Sequence, residues 1–267
     1  MTHNESLVLR FASGTDPGRR RQLNEDSAYA SPRVLAVADG MGGHAHGEVA
    51  SSIAVEVLSD LDRDLDPQRI DLLDALSDVV TEIGQRLANL GVRNPELKDM
   101  GTTLTTLVWD GTRFALAHVG DSRGYLLREG ALHQLTRDHT LVQELVDAGR
   151  ITEEQAAEHP RRSLLTQALR SGESPVPDLS YCEVRPFDRY LLCSDGVTAV
   201  LHAADIQEVL GTVPEPGDAC RRLIELANAG GGPDNITCVV ADVIDPAAFD
   251  EQDTVREPNW WQRLLGG

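Results

Sequence analysis

The sequence predicts an α+β fold built on antiparallel strands. Three observations point there: two helical patterns that run consecutively after two strand patterns, strand-like runs joined by hairpin signals, and apolar runs that end in aspartate beside glycine. A parallel α/β fold needs strand and helix to alternate, and the chain after Val49 breaks that alternation. At 267 residues it is long enough for one large domain with a sizeable core. Its formal net charge of -19 disfavours nucleic acid and anionic membrane as partners, because both are recognised through clustered Lys and Arg.

Leu7 to Phe11 reads as an opening strand. A polar stretch follows from Ser13 to Gln22, with Arg19, Arg20 and Arg21 just ahead of Glu25 and Asp26. Such a charge run is most simply a solvated loop; its functional reading is a guanidinium fork for phosphate beside acidic residues that orient metal-bound water. Val34 to Ala38 is an apolar run that suits a strand covered on both faces. It ends in Asp39, after which Gly40, Gly42 and Gly43 let the backbone turn and leave main-chain groups open to an ion or phosphate. The helix after it carries Val49, Ile53, Val57 and Leu61 on one face. Asp66 and Pro67 are expected to cap a second helix bearing Leu72, Leu76, Val79, Ile83 and Leu87, with Gly91 as its stop.

Thr102 to Trp109 and Phe114 to Val119 are expected strands, the second with period-two alternation, joined at Asp110-Gly111 by a type I′ turn. Gly120-Asp121-Ser122 and Glu129-Gly130 turn the chain again, completing an antiparallel meander through Tyr125–Leu127 and Leu132–Leu135. Asp121 in such a turn is most simply an Asx-turn residue. Leu141–Asp147 and the capping-box sequence that starts at Thr152 predict two short helices, a charged helical insertion between strands. Arg189 to Asp195 repeats the opening design of an apolar strand ending in Asp and Gly. A helix from Asp218 to Ala229 then leads through three glycines to Asp234 and a last strand, Ile236 to Val243. Asp39, Asp195 and Asp234 thus all stand at strand ends beside glycine.

Gly40, Gly42 and Ala45 also spell a dinucleotide fingerprint. Two features argue against it: Asp39 would face the pyrophosphate, and a second helix stands where the next strand of a βαβ unit belongs. Cys182, Cys193, Cys220 and Cys238 form no Cys-x-x-Cys pair, so reduced thiols are expected. No apolar run is long enough for a signal core or a membrane span, which suggests a cytoplasmic chain.

Taken together, RQLNED at Arg21–Asp26, VADGMGG at Val37–Gly43, GTT at Gly101–Thr103, VGDSRGY at Val119–Tyr125, CSDG at Cys193–Gly196 and GGPDN at Gly231–Asn235 resemble the type 2C metal-dependent serine/threonine protein phosphatases in their bacterial single-domain form. The match runs in order over nearly all of residues 7–245. It implies a four-layer αββα sandwich, two central antiparallel sheets flanked by antiparallel helix pairs, with a binuclear Mn2+ or Mg2+ site in an edge cleft. Residues 1–245 would form the catalytic domain, about 137–171 a flap, and 246–267 a tail containing Trp260 and Trp261.

The resemblance makes Asp39 the carboxylate bridging both ions, the Gly40 carbonyl a ligand of one, and Asp195 and Asp234 ligands of the other. Asp26 and Glu25 would stand near the metal waters, Arg21 would hold phosphate, and Asp121 with Asp195 would take a third ion. The implied reaction is direct hydrolysis of phosphoserine and phosphothreonine in phosphoproteins, Ser/Thr protein kinases among them, by metal-activated water. Met41 stands where many eukaryotic members carry a histidine proposed as general acid, so the leaving-group proton must come from elsewhere. His44 and His46 read as residues at the start of the helix rather than acids or zinc ligands. The alternative on the same fold is an inactive or regulatory binding module, which the intact aspartate set disfavours.

Overall fold

The computed structural model describes residues 7–42, 46–67, 69–173 and 175–246. In chain order the elements are β1 (Val8–Asp16), β2 (Ser27–Ala30), β3 (Val34–Ala38), β4 (Gly40–Met41), α1 (Gly47–Asp64), α2 (Leu72–Arg93), β5 (Gly101–Thr102), β6 (Leu104–Trp109), β7 (Arg113–Val119), β8 (Arg123–Arg128) and β9 (Ala131–Gln134). They continue with α3 (Leu141–Asp147), α4 (Glu153–Ala157), β10 (Leu169–Arg170), β11 (Asp178–Glu183), β12 (Arg189–Cys193), α5 (Asp195–Thr198), α6 (Ala203–Thr212), α7 (Pro216–Ala229) and β13 (Ile236–Ile244).

Two five-stranded sheets, ordered β1-β13-β12-β8-β9 and β11-β7-β6-β3-β2, are antiparallel throughout. Alternation along the strands divides the apolar side chains among three cores. Leu35 and Val37 of β3 meet Tyr190, Leu192, Val239 and Ala241 of the other sheet, while Val34, Ala36 and Ala38 face α1 and α2. Likewise Leu191, Cys193, Cys238 and Val240 pack beneath α6 and α7. The result is the expected four-layer αββα sandwich. Both faces of the central strands are covered, so β3, β12 and β13 are buried along their whole length.

The helix faces are those the spacing implied. Ile53 and Val57 of α1 and Leu72, Leu76, Val79, Ile83 and Leu87 of α2 are buried. The α2 boundaries differ from expectation. Its N-cap is Asp71, whose carboxylate accepts from the Leu73 and Asp74 amides, and the helix passes through Gly91 to Arg93. Gly91 is buried where a Cβ would come within 2.9 Å of Ser171 Oγ, so its role is close packing rather than termination. α7 likewise starts earlier than expected, at Pro216.

One hairpin assignment changes. Asp110 pairs with Arg113, which leaves Gly111-Thr112 as the two turn residues with positive φ at Gly111 alone; the geometry is type II′, not I′. Glu129 and Gly130 both have positive φ, so the I′ turn is the next one along. β7 shows no exposed alternation because its outer face lies under α2 and its inner face against the second sheet. β1 continues past Phe11 to Asp16, its polar half held by the β13 ladder.

A buried ion pair closes the far end of the second helix layer. Arg189 donates to both oxygens of Asp242, at 2.5 and 3.0 Å, and to the carbonyls of Leu210, Val213 and Pro214, tying β12 and β13 to the α6–α7 connection. Removing one partner of such a pair leaves a buried charge uncompensated. Asp242→Asn should therefore lower unfolding stability by about 3 kcal/mol, read as a lower denaturation midpoint at an unchanged slope. A loss below about 1 kcal/mol would mean that the three carbonyls alone hold Arg189.

Candidate metal centre and active site

The loops at one end of the sandwich enclose a cleft of about 330 Å³ lined by Arg21, Glu25, Asp39, Gly40, Asp121, Asp195 and Asp234, with Asp26 buried behind it. Every site residue expected from the sequence is brought together here. β3 delivers Asp39, the short helix α5 opens with Asp195, and Asp234 precedes β13.

Backbone contacts fix Asp39 more than side-chain contacts do. Its amide donates to Thr103 Oγ1 at 3.0 Å, and its carbonyl accepts from the Thr103 amide at 2.9 Å and Thr102 Oγ1 at 3.0 Å. Thr103 Oγ1 is in turn 2.9 Å from Ser122 Oγ, which links the Asp39 strand end to the turn holding Asp121. That turn requires Gly120: its φ is +116°, and a Cβ would fall 2.5 Å from Thr103. Gly40 is equally constrained, since a Cβ there would lie 2.2 Å from the Gly47 carbonyl oxygen and 2.3 Å from that of Glu25.

Asn235 joins the last of the loops. Its side chain donates to the Pro17 and Leu23 carbonyls and accepts from the Glu25 amide, so residues 17–25 are sewn to the turn bearing Asp234. Asp26 Oδ2 accepts from Ser194 Oγ at 2.8 Å, next to Asp195. Arg21 donates to Asp234 Oδ2 at 2.7 Å across a half-exposed rim. Glu25 does something the sequence did not reveal: its carboxylate accepts from the Gly47 amide at the start of α1, and its carbonyl accepts from Ser51 Oγ. Thr103 and Asn235, each inside a matched motif but given no role by the sequence, are the residues that hold these loops together, and Arg170, outside every motif, also lines the cleft.

The electrostatics are those of a site that wants cations. Burial, reinforced by Asp26, Asp195, Asp121 and Asp234, raises the Asp39 carboxyl well above the ordinary range. Burial with Asp195 and Asp138 nearby pushes Asp121 up to about 8; burial with Asp195 and Asp234 raises Asp26 to about 7; and burial with Asp234 raises Asp195 to about 6. Asp26 Oδ1 and Asp195 Oδ1 are buried with no hydrogen-bond partner. Unpaired carboxylate oxygens are costly unless a positive charge meets them. Among the described residues no three His, Cys, Asp or Glu side chains close into a preformed metal cage; a hard divalent ion that keeps several waters needs fewer protein oxygens than such a cage supplies.

The model of the protein phosphatase 2C family matches residues 14–227. The chain belongs to this family. A serine/threonine protein phosphatase, PstP, of Mycobacterium tuberculosis is 52% identical over 240 residues, covering 90% of this chain and 46% of the relative, so the chain spans about half of that protein's length. The serine/threonine phosphatase stp of Listeria innocua is 36% identical, covering 85% of this chain and 93% of the relative. A solved catalytic domain of PstP in complex with two manganese ions superposes with a TM-score of 0.84 at 50% identity, covering 90% of this chain and all of that one.

Within this phosphatase 2C fold the four cysteines are free thiols, three of them buried, as expected. His46 is the N-cap residue of α1, at the start of the helix as expected, with no side-chain capping bond, while His44 and the 246–267 tail beyond Pro246 lie outside the described residues. Among the described residues no helix is long and apolar enough to cross a membrane.

The carboxylate ring sets a pH dependence. With folded-state pKa values raised to about 6 to 8, the folded metal-free protein holds more protons than the unfolded chain above about pH 4. Its stability therefore falls as pH rises from about 5 to 8. Melting followed in chelator should show the lower Tm at pH 8, and Mn2+ should raise Tm more at pH 8 than at pH 5.5, where protons compete for the same oxygens. A metal-induced shift that is the same at both pH values would sink this account of the ring.

Proposed function

We propose that this chain is a Mn2+- or Mg2+-dependent phosphoprotein phosphatase acting on phosphoserine and phosphothreonine. The observation that carries the reading is the set of buried aspartate oxygens without partners, converging on a cleft whose rim carries Arg21. Support also comes from the PstP catalytic domain, which holds two manganese ions at half-identical sequence.

In this reading Asp39, the Gly40 carbonyl, Asp195 and Asp234 would hold the two divalent ions, with Asp39 shared between them. Divalent ions bound there would supply activated water and offset phosphoryl charge. The chain's own residues do the rest. Arg21, whose fork already meets Asp234, is positioned to turn its remaining donors to phosphoryl oxygens. Asp26, enclosed and braced by Ser194, holds a fixed charge behind the ions, while Glu25 acts chiefly by pinning α1 to the cleft. Asp121, beside Asp195, is the proposed seat of a third ion. Residues 137–171 are proposed as a flap, with Ser163, Leu164 and Leu165 at its lip in the cleft wall. Its neck is tied by the Leu141 amide to the Leu164 carbonyl and the Thr166 amide to the His139 carbonyl. Phosphorylated proteins, Ser/Thr kinases among them, are the proposed substrates, and the free cysteines suit a reducing compartment such as the cytoplasm.

Phosphate release from a phosphothreonine peptide, with Mn2+ against chelator, tests the reading; no metal-dependent release would overturn it. Asp39→Asn should abolish that activity and, by removing a repelled charge, raise the Tm of the metal-free protein. Near-parental turnover would exclude Asp39 as the bridge. Met41 packs against Arg170 and Gly101 and carries no proton to give. Met41→Ala should thus lower peptide turnover less than about tenfold, well short of a lost general acid, whereas Arg21→Ala should cost more. If Met41→Ala costs a hundredfold on the peptide but spares an aryl phosphate, Met41 positions the proton donor.

A further inference from the structure

Arg170 is bound differently from the other arginines near the sheets. Arg123, Arg128 and Arg189 each place two donors on a carboxylate, and Arg21 meets Asp234 at 2.7 Å. Arg170 donates to the thioether of Met41 at 3.4 Å, a weak acceptor, and the nearest carboxylate oxygen, on Glu173, stands 4.0 Å from its Nη1, outside hydrogen-bond reach. A half-exposed guanidinium with five donors is thus left with poor protein partners.

Its position is fixed by a small sheet. Arg170 in β10 pairs with Gly101 of β5, and Gly101 pairs with Met41 of β4, two residues from Asp39. Gly101 lets the strands close up, since a Cβ there would lie 2.7 Å from Arg170 Cγ. From this rigid place Arg170 lines both the carboxylate cleft and a second depression of about 340 Å³, whose wall also includes Lys98, Asp99 and Glu173. The two depressions meet at Met41, Gly42 and Arg170. The second depression therefore adjoins the cleft that the phosphorylated side chain of a peptide would enter. An acidic side chain on that peptide would be drawn to the Arg170 fork, with Lys98 as a second cation on the wall.

Building on the phosphatase reading, we propose that Arg170 is a specificity-determining residue that engages an Asp or Glu of the substrate flanking the phosphorylated residue, with the second depression as its subsite. The contact forms to groups remote from phosphorus, so it acts mainly through substrate binding and appears in KM.

The test uses the full chain with Mn2+ and phosphothreonine peptides carrying Glu or Gln at each position from three before to three after the phosphoresidue, with an aryl phosphate as reference. In the parent, Glu over Gln at one or more positions should raise kcat/KM about tenfold, mostly through KM. Arg170→Ala should reduce that preference to less than twofold, and Arg170→Lys should retain part of it, because the charge stays and the fork is lost. No Glu preference in the parent, or a preference that survives Arg170→Ala, overturns the proposal. So does a parallel fall of aryl phosphate and both peptides, which would make Arg170 a clamp on the reacting phosphoryl group. A parent that hydrolyses neither the peptides nor the aryl phosphate with Mn2+ overturns the phosphatase reading itself, and this inference with it.

Discussion

The structure depends on holding five aspartates at one end of the sandwich against their mutual repulsion. Asp26, Asp39, Asp121, Asp195 and Asp234 come from five separate loops or strand ends, and no side-chain pairing among them would keep them there. Hydrogen bonds from uncharged Thr, Ser and Asn side chains, most of them to main-chain groups, do it instead. The Asp39 peptide groups are clasped by Thr102 and Thr103, the Asp121 turn is held through Thr103 and Ser122, and Asn235 fastens the Asp234 turn to residues 17–25. Bonds made by uncharged side chains to groups other than the carboxylates are not lost when the carboxylates ionise. The aspartate side chains therefore stay in the high-energy arrangement that makes them a cation site.

How much of this could be read from the sequence follows from how local each signal is. Asp39 and Asp195 end buried apolar strands, and Asp234 begins one, each beside glycine, so the pattern is contained in a few residues. Glu25 was visible as an acidic residue but not as a cap, because its partner Gly47 lies 22 positions away. Asn235 and Thr103 act on loops some 210 and 64 residues distant, a separation at which no periodicity speaks. Arg170 escaped for the same reason: two-residue strands such as β4, β5 and β10 carry no pattern and exist only as a ladder. In the fold, β2, α5, α6 and β11 went unread. β11 is an edge strand of mixed exposure, and α6 buries only Ile206, Val209 and Leu210 among its ten residues.

Rigidity is distributed with the same logic. The cores between and outside the sheets are filled by fully buried aliphatic and aromatic side chains, including Phe114 and Tyr190 in edge contact. The 137–171 segment instead buries little of its two short helices, Val142 alone in α3 and nothing in α4. Its base is nevertheless well tied. The His139 amide donates to the Gly120 carbonyl, and the Gly120 amide donates back to His139 Nδ1. His118, whose pKa burial lowers to about 4, stays neutral between Thr105 and the Arg137 carbonyl. Since a carbonyl can only accept, His118 carries its proton on Nε2. Any motion of the segment's lip is thus confined beyond a neck anchored to the turn that bears Asp121.

The cap formed by Glu25 explains why six carboxylates can share this end of the molecule when repulsion already strains five. α1 begins at Gly47, where the unsatisfied amides and the positive end of the helix dipole would otherwise face the cleft. Glu25 accepts from that amide, so its charge is spent locally on the helix. The groups that chiefly raise Asp39 are accordingly Asp26, Asp195, Asp121 and Asp234, not the sixth acidic residue on the wall. The same contact locks the strand end to the helix start, because Gly40 and Gly47 are packed backbone to backbone with no room for a Cβ on either. Charge neutralisation and positional precision are therefore achieved by one carboxylate, and the remaining negative charge is left to be met by cations in the cleft.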